Sequence, residues 1–145
     1  MKELLRSSND KVLALMRLIL GLIFFGHGAQ MALGWWSGLG WHGTIDIFSS
    51  HLHIPAFFGA CAILAEFLGA LMLLAGFLSR IAALFIAIVM MVAILKVHFH
   101  NGLLGGPGGE GYEYPLALLA LCILIIFKGG GAMSIDRAIA KDSRD

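Results

Sequence analysis

Charged residues are scarce in this chain, at 13% of 145 positions, while 59% of the residues are hydrophobic. Soluble domains carry roughly a quarter charged and about half apolar residues. A water-soluble core of this length could not hide so much apolar surface; lipid can. The net charge of +1 leaves no basic excess for a nucleic-acid partner and no acidic tail. Cysteine is scarcer still. Cys61 and Cys122 both fall in apolar runs, without a C-x-x-C pair or zinc spacing, and read as small buried hydrophobes. Also missing are a dinucleotide fingerprint, a haem C-x-x-C-H attachment and an iron–sulfur cysteine set. Electrons, if the chain handles any, have to arrive from outside it. No internal repeat is visible.

What is abundant is long apolar sequence, in four runs: Val12–Leu33, Pro55–Leu78, Ile81–Val97 and Pro115–Phe127. A helix needs roughly 20 residues to cross a hydrocarbon core about 30 Å thick. The first two runs suffice, and the third does if it continues through Phe99 or His100. The fourth is short, about 20 Å at the helical rise. It must borrow Gly111–Tyr114 or sit where the bilayer thins. Pro115 suits a first helical turn, where its missing N–H costs nothing. The first run follows Lys2, Arg6 and Lys11 like a signal peptide, but it is too long and no A-x-A site follows. The expected fold is therefore all-α, a single integral membrane four-helix bundle. Its spans lie near 12–33, 55–78, 81–99 and 112–128, followed by a short tail, 129–145.

Of ten Lys and Arg residues, nine map to one side: Lys2, Arg6, Lys11, Arg17, Arg80, Lys128, Arg137, Lys141 and Arg144. Only Lys96 lies near the other. The positive-inside rule then puts both termini in the cytoplasm. Gly34–Ile54 and His100–Tyr114 become outer loops. The first carries Trp35, Trp36 and Trp41, suited to an interfacial aromatic belt. The second is Gly-rich but lacks the Lys-Ser/Thr ending of a phosphate cradle, so no nucleotide is expected. Ser134 is an N-cap candidate for one amphipathic turn at the surface.

Charged groups inside a span cost at least about 2.5–3.5 kcal/mol, so each needs a reason. Glu66 lies about 16 Å deep, near the midplane. It shares a helix face with Gly59, Ala62, Gly69 and Gly76, and small residues let helices approach closely. A Glu there is either neutral or paired. It is a functional group or a hydrogen-bonded tie between helices. His27, in Gly26-His27-Gly28, lies roughly 9 Å below the outer surface, with Gln30 on the same face. Its plain reading is a bond to a carbonyl of an adjacent helix. Lys96 and Arg17 read as snorkelling side chains, with an Arg17–Glu66 pair as the alternative. His51-x-His53 and His98-x-His100 fall short of a zinc ligand set, and nothing fixes His27 and His98 as haem ligands. Neither metal nor haem is expected. His27, Gln30, Glu66, His98, Asn101 and Glu113 all fall in the outer half. Together they describe a pocket roofed by Trp and Gly-rich loops.

These residues also make the chain resemble the DoxX family of small four-helix membrane proteins. The likeness runs through Leu15-Met-Arg17-Leu with Gly21, Phe25-Gly-His27-Gly28-Ala-Gln30 and Ala65-Glu66-Phe-Leu-Gly69. It continues in Leu74-Ala-Gly76-Phe-Leu-Ser-Arg80-Ile-Ala-Ala and Val97-His98 with Asn101-Gly102. Gly111-Tyr-Glu113-Tyr-Pro115 and Ser134-Ile-Asp136 complete it. One position departs: Met31 stands where many relatives carry a Lys. The resemblance implies a protein of the cytoplasmic membrane of a bacterium or archaeon. Some relatives resemble a subunit of thiosulfate:quinone oxidoreductase, and others are linked to membrane thiol and oxidative-stress complexes.

Two classes of function follow. In the first, the chain is a quinone-interacting oxidoreductase subunit. His27 and Glu66 are its catalytic proton donors and relays, Gln30, His98, Asn101 and Glu113 its ligand-binding residues, and electrons come from a redox partner subunit or a small reductant. Cys61 and Cys122 lie at similar depths, about 9 and 10–15 Å, which keeps a thiol pair in view. In the second, the chain is a non-enzymatic scaffold or assembly factor, with His27 and Glu66 as interhelical ties. A small-molecule transporter is a further option, one that with so few helices calls for a homo-oligomer.

Overall fold

The computed structural model describes residues 7–142. Lys2, Arg6 and Arg144, and the side chain of Lys141, lie outside the described residues, so the positive-side count can be followed only for the other five.

Helix α1 spans Lys11–Leu33. Asp10 starts it, its carboxylate accepting from the Val12 and Leu13 amides at 2.8 and 3.1 Å, which satisfies orphan donors of the first turn. A 3-10 turn, Trp35–Ser37, leads to α2, Gly40–Ser50. Then come α3, Ala56–Ala75, and α4, Ser79–Ala93. A π turn, Ile94–His98, and a 3-10 turn, Phe99–Asn101, prolong α4. Helices α5, Glu113–Lys128, and α6, Ile135–Asp142, complete the chain. Among the described residues the one β feature is an isolated bridge, Gly106–Gly109.

Three stretches, Lys11–Leu33, Ala56–Ala75 and Ser79–Asn101, are long and apolar enough to cross a membrane. The third apolar run thus does continue past Val97. Helix α5 has 16 residues, about 24 Å of rise. Chain order is also packing order: α1 lies on α3, α3 on α4, and α4 on α5. Leu20, Phe24, Ile63, Leu73, Ile86 and Ile125 are fully buried between them. A Cβ on Gly28 would stand 2.6 Å from Phe67 Cα, so α1 and α3 cross with their backbones nearly touching. Small residues permit that approach where lipid supplies no hydrophobic drive. Outward, Leu15, Leu22, Phe57, Leu68, Phe85 and Phe127 are exposed, an apolar jacket that suits hydrocarbon rather than water.

Two regions differ from the sequence expectation. Residues 34–54, expected as a loop, contain α2. Gly43, Thr44 and the β-branched Ile45 and Ile47 are poor helix formers, so no local pattern announces this helix. Tertiary contacts hold it: the Thr44 hydroxyl donates to the Met31 carbonyl at 3.4 Å, and Phe48 lies over the bare backbone of Gly59.

The second difference is the segment after α5. Ser134 does cap α6, accepting from the Arg137 amide at 3.3 Å, but the cap is buried rather than at the surface. Residues 129–136 fold back into the bundle at the end that carries the first turn of α1, called here the terminal end. The Ala132 amide donates to Asp10 O at 2.9 Å. The Asp136 carboxylate accepts from the Leu78 and Ser79 amides at 2.6 and 2.8 Å, capping α4. Arg17, expected to snorkel, is only 1% exposed. Its Nη2 donates to Met133 O at 3.3 Å, and Asp136 is its opposing charge. The correction has a steric cause: the guanidinium occupies the place where a side chain at Gly76 would stand. Arg80 donates to the Ile126 and Phe127 carbonyls at 2.6 and 3.1 Å, and Arg137 to Asn9. The described members of the cationic set therefore share this end.

Candidate functional site

At the opposite end, called the loop end, α2, α3 and α4 line a cavity of about 240 Å³ that is open on its outer side, where Phe58, Phe85 and Ile88 are exposed. Each helix contributes one face. From α3 come Phe58, Cys61, Ala62, Ala65 and Glu66, one stripe at helical spacing. From α4 come Phe85, Ile88, Val89 and Val92, with Lys96 beyond them in the π turn. Phe48 and Leu52 of the α2 region close the top, so the fold-back of residues 34–54 completes the wall. Its walls are almost wholly apolar. The exceptions are Glu66, Lys96 and the Cys61 thiol.

Glu66 is 7% exposed, and among the described residues no hydrogen bond or ion pair reaches its carboxyl. The phenol of Tyr114, in the first turn of α5, is within electrostatic reach of it. A buried carboxyl left without a partner costs free energy; one that lines a cavity can recover it from a ligand that brings a hydrogen-bonding group. Lys96 is exposed and offers its ammonium at the cavity edge. A wider groove of about 690 Å³ lies at the terminal end, between the starts of α1 and the finish of α5. Its charged residues Asp10, Lys11 and Lys128 are all exposed, so it holds no buried group awaiting a partner.

Of the six residues that sequence placed in one outer pocket, the structure brings Glu66 alone to this cavity. His27 is exposed on α1. Gln30 is half-buried, with Gly38 seated against its backbone. His98 is half-buried, and its Nδ1 lies 3.1 Å from Ala93 O of its own helix. Asn101 donates from Nδ2 to Glu110 O at 3.0 Å, pinning the Gly-rich loop. Glu113 is exposed at the start of α5. Arg17 and Glu66 do not pair. Cys61 is exposed and Cys122 buried, and both thiols are free. Among the described residues no group of three or more His, Cys, Asp or Glu could hold a metal ion.

Two cavity residues escaped sequence reasoning. Lys96 was read for its charge, but it continues the Phe85–Val89–Val92 stripe at helical spacing. Cys61 stands one turn from Ala65 on the Glu66 stripe, a position that marks it as a wall rather than core.

No curated protein and no solved structure matches the chain. The DoxX family model matches residues 12–99, a stretch that contains α1 to α4 and every residue lining the cavity. With more than half of the sequence matched and three apolar helices of membrane length, this chain is a membrane protein that belongs to the DoxX family.

Proposed function

We propose that this chain is a membrane subunit that binds a quinone, or a similarly apolar redox ligand, in the α2–α3–α4 cavity, with Glu66 meeting the ligand's oxygen. The observation that carries this reading is a buried carboxyl, without a hydrogen-bond partner among the described residues, in a largely apolar cavity. A quinone ring matches that lining: flat and apolar, with a carbonyl as its polar handle. Phe48, Phe58 and Phe85 supply aromatic walls. Glu66 donates a hydrogen bond when protonated and takes a proton when not, which is what interconversion of quinone and quinol needs. Reduction takes up electrons and protons together; the electrons come from a separate redox subunit or a small reductant.

The same reading makes α5 a fourth crossing, with both termini cytoplasmic. Lys11, Arg80, Lys128 and Arg137 gather at the terminal end, as the positive-inside rule asks of a cytoplasmic face. The cavity then opens in the outer half of a prokaryotic cytoplasmic membrane.

Purified protein in quinone-free nanodiscs tests the proposal by titration with a short-chain quinone, followed through quenching of Trp35, Trp36 and Trp41. Saturable quenching that weakens about tenfold or more in Glu66→Leu is expected, the loss of one charge-assisted hydrogen bond. No binding, or binding indifferent to Glu66, overturns it. Reporter fusions at either terminus that locate outside the cytoplasm overturn the topology.

A further inference from the structure

His27 poses a problem that the bundle does not solve. It lies six residues before the end of α1, about 9 Å below that end at the helical rise. Its side chain is exposed, and among the described residues no hydrogen bond reaches the imidazole. Ionisable residues within the membrane ordinarily face the bundle interior or pair with one another. An imidazole is also too short to snorkel over that distance as Lys or Arg would. An exposed, unpaired histidine at this depth calls for a polar partner that is itself embedded in the membrane.

The neighbouring positions describe that partner. Gly26 lies next to His27, and a Cβ built there meets nothing within 4 Å. A foreign helix can therefore approach the backbone closely. Gln30, half-buried and one turn further on, adds a carboxamide that both donates and accepts. Leu22 and Ile19, both exposed, continue the face toward the terminal end.

We infer that this face of α1 is the contact between two copies of the chain. Copies of one membrane protein insert in the same sense, so a two-fold axis along the membrane normal brings like residues together at equal depth. The face suits that operation. Paired Gln30 carboxamides can exchange N–H···O bonds reciprocally, each imidazole has a carboxamide one turn away, and paired Gly26 residues let the helices close. A second copy thus offers the polar groups of the face partners of their own kind without any further polar residue, and it leaves the cavity of each protomer free, since α1 does not line it.

Cysteine cross-linking in native membranes tests this. In a Cys61→Ser/Cys122→Ser background, single cysteines replace Leu22, Gly26 and Gln30 on the face. Leu64 and Leu68, also exposed on α3, serve as controls. Oxidation is expected to give a species of twice the monomer mass from the α1 positions and not from α3. His27→Leu/Gln30→Leu is expected to lower the dimer fraction about five- to tenfold, the loss of interhelical hydrogen bonds in lipid. Absence of dimer from all α1 positions, equal cross-linking from α3, or cross-links to a protein of different mass each overturn the inference. Because the cross-linking variants keep His27, that readout stands even if the double variant fails to insert.

Discussion

The two ends of this bundle treat a buried charge in opposite ways. At the terminal end, Arg17 is 1% exposed and meets the Met133 carbonyl and the charge of Asp136. Asp136 in turn accepts two backbone amides of α4. At the loop end, Glu66 is 7% exposed and, among the described residues, has no hydrogen bond or ion pair, only the cavity and the nearby Tyr114 phenol. Both groups sit in apolar helices where an uncompensated charge is expensive. Residues 129–136 bring a carbonyl and an opposite charge to the first, whose Nε and Nη1 still have no hydrogen-bond partner among the described residues, and they bring nothing to the second. A buried charge held near an opposite one is a structural tie, whereas one that only lines a cavity is a candidate site. This difference, rather than burial, separates the two residues.

The comparison makes quantitative demands. Asp136→Ala removes the α4 cap and the counter-charge of Arg17 together. It is expected to cost about 1–3 kcal/mol, the scale for leaving buried donors without their acceptor, read as a lower Tm in detergent. Quinone binding by the protein that remains folded is expected to be unchanged. A negligible Tm change erases the contrast between the ends. Gly28→Ala, which sets a methyl 2.6 Å from Phe67 Cα, is expected to cost about 1–3 kcal/mol by overpacking the α1–α3 crossing. Glu66→Leu is expected to carry the opposite sign: thermal stability rises by about 1–2 kcal/mol as an unpaired buried polar group is removed, while ligand binding is lost. A fall in Tm for that variant assigns Glu66 a structural bond and makes the two ends alike. The smallest effect is expected for Asn101→Ala, about 1 kcal/mol for one bond to the Gly-rich loop, with ligand affinity unmoved because Asn101 lies outside the cavity.

Much of the frame was legible because membrane helices announce themselves through apolar runs of known length. Glu66 was legible for the same reason, as a charge where charge is costly. Its companions were not. Sequence put His27, Gln30, His98, Asn101 and Glu113 beside it by depth alone, and depth does not say which way a side chain points. His98 and Asn101 instead bond to their own segment, and His27 faces out. The place of Lys96 and Cys61 in the cavity wall is not legible, because a snorkelling lysine and a small apolar cysteine are ordinary in such runs. Arg17 was misread because its partners stand more than a hundred positions away.

Composition and hydropathy by themselves determined that this chain lives in lipid, roughly where its long apolar helices lie, and which buried charge needs explanation. Those properties depend on transfer free energies of residues near one another in sequence. Tertiary structure alone decided that residues 34–54 form a lid, that residues 129–136 plug the terminal end, and that the cavity is walled by α2, α3 and α4. A lid over Gly59 and a guanidinium against Gly76 are contacts between distant segments. Steric fit and pairing of polar groups select them, and no local pattern encodes either.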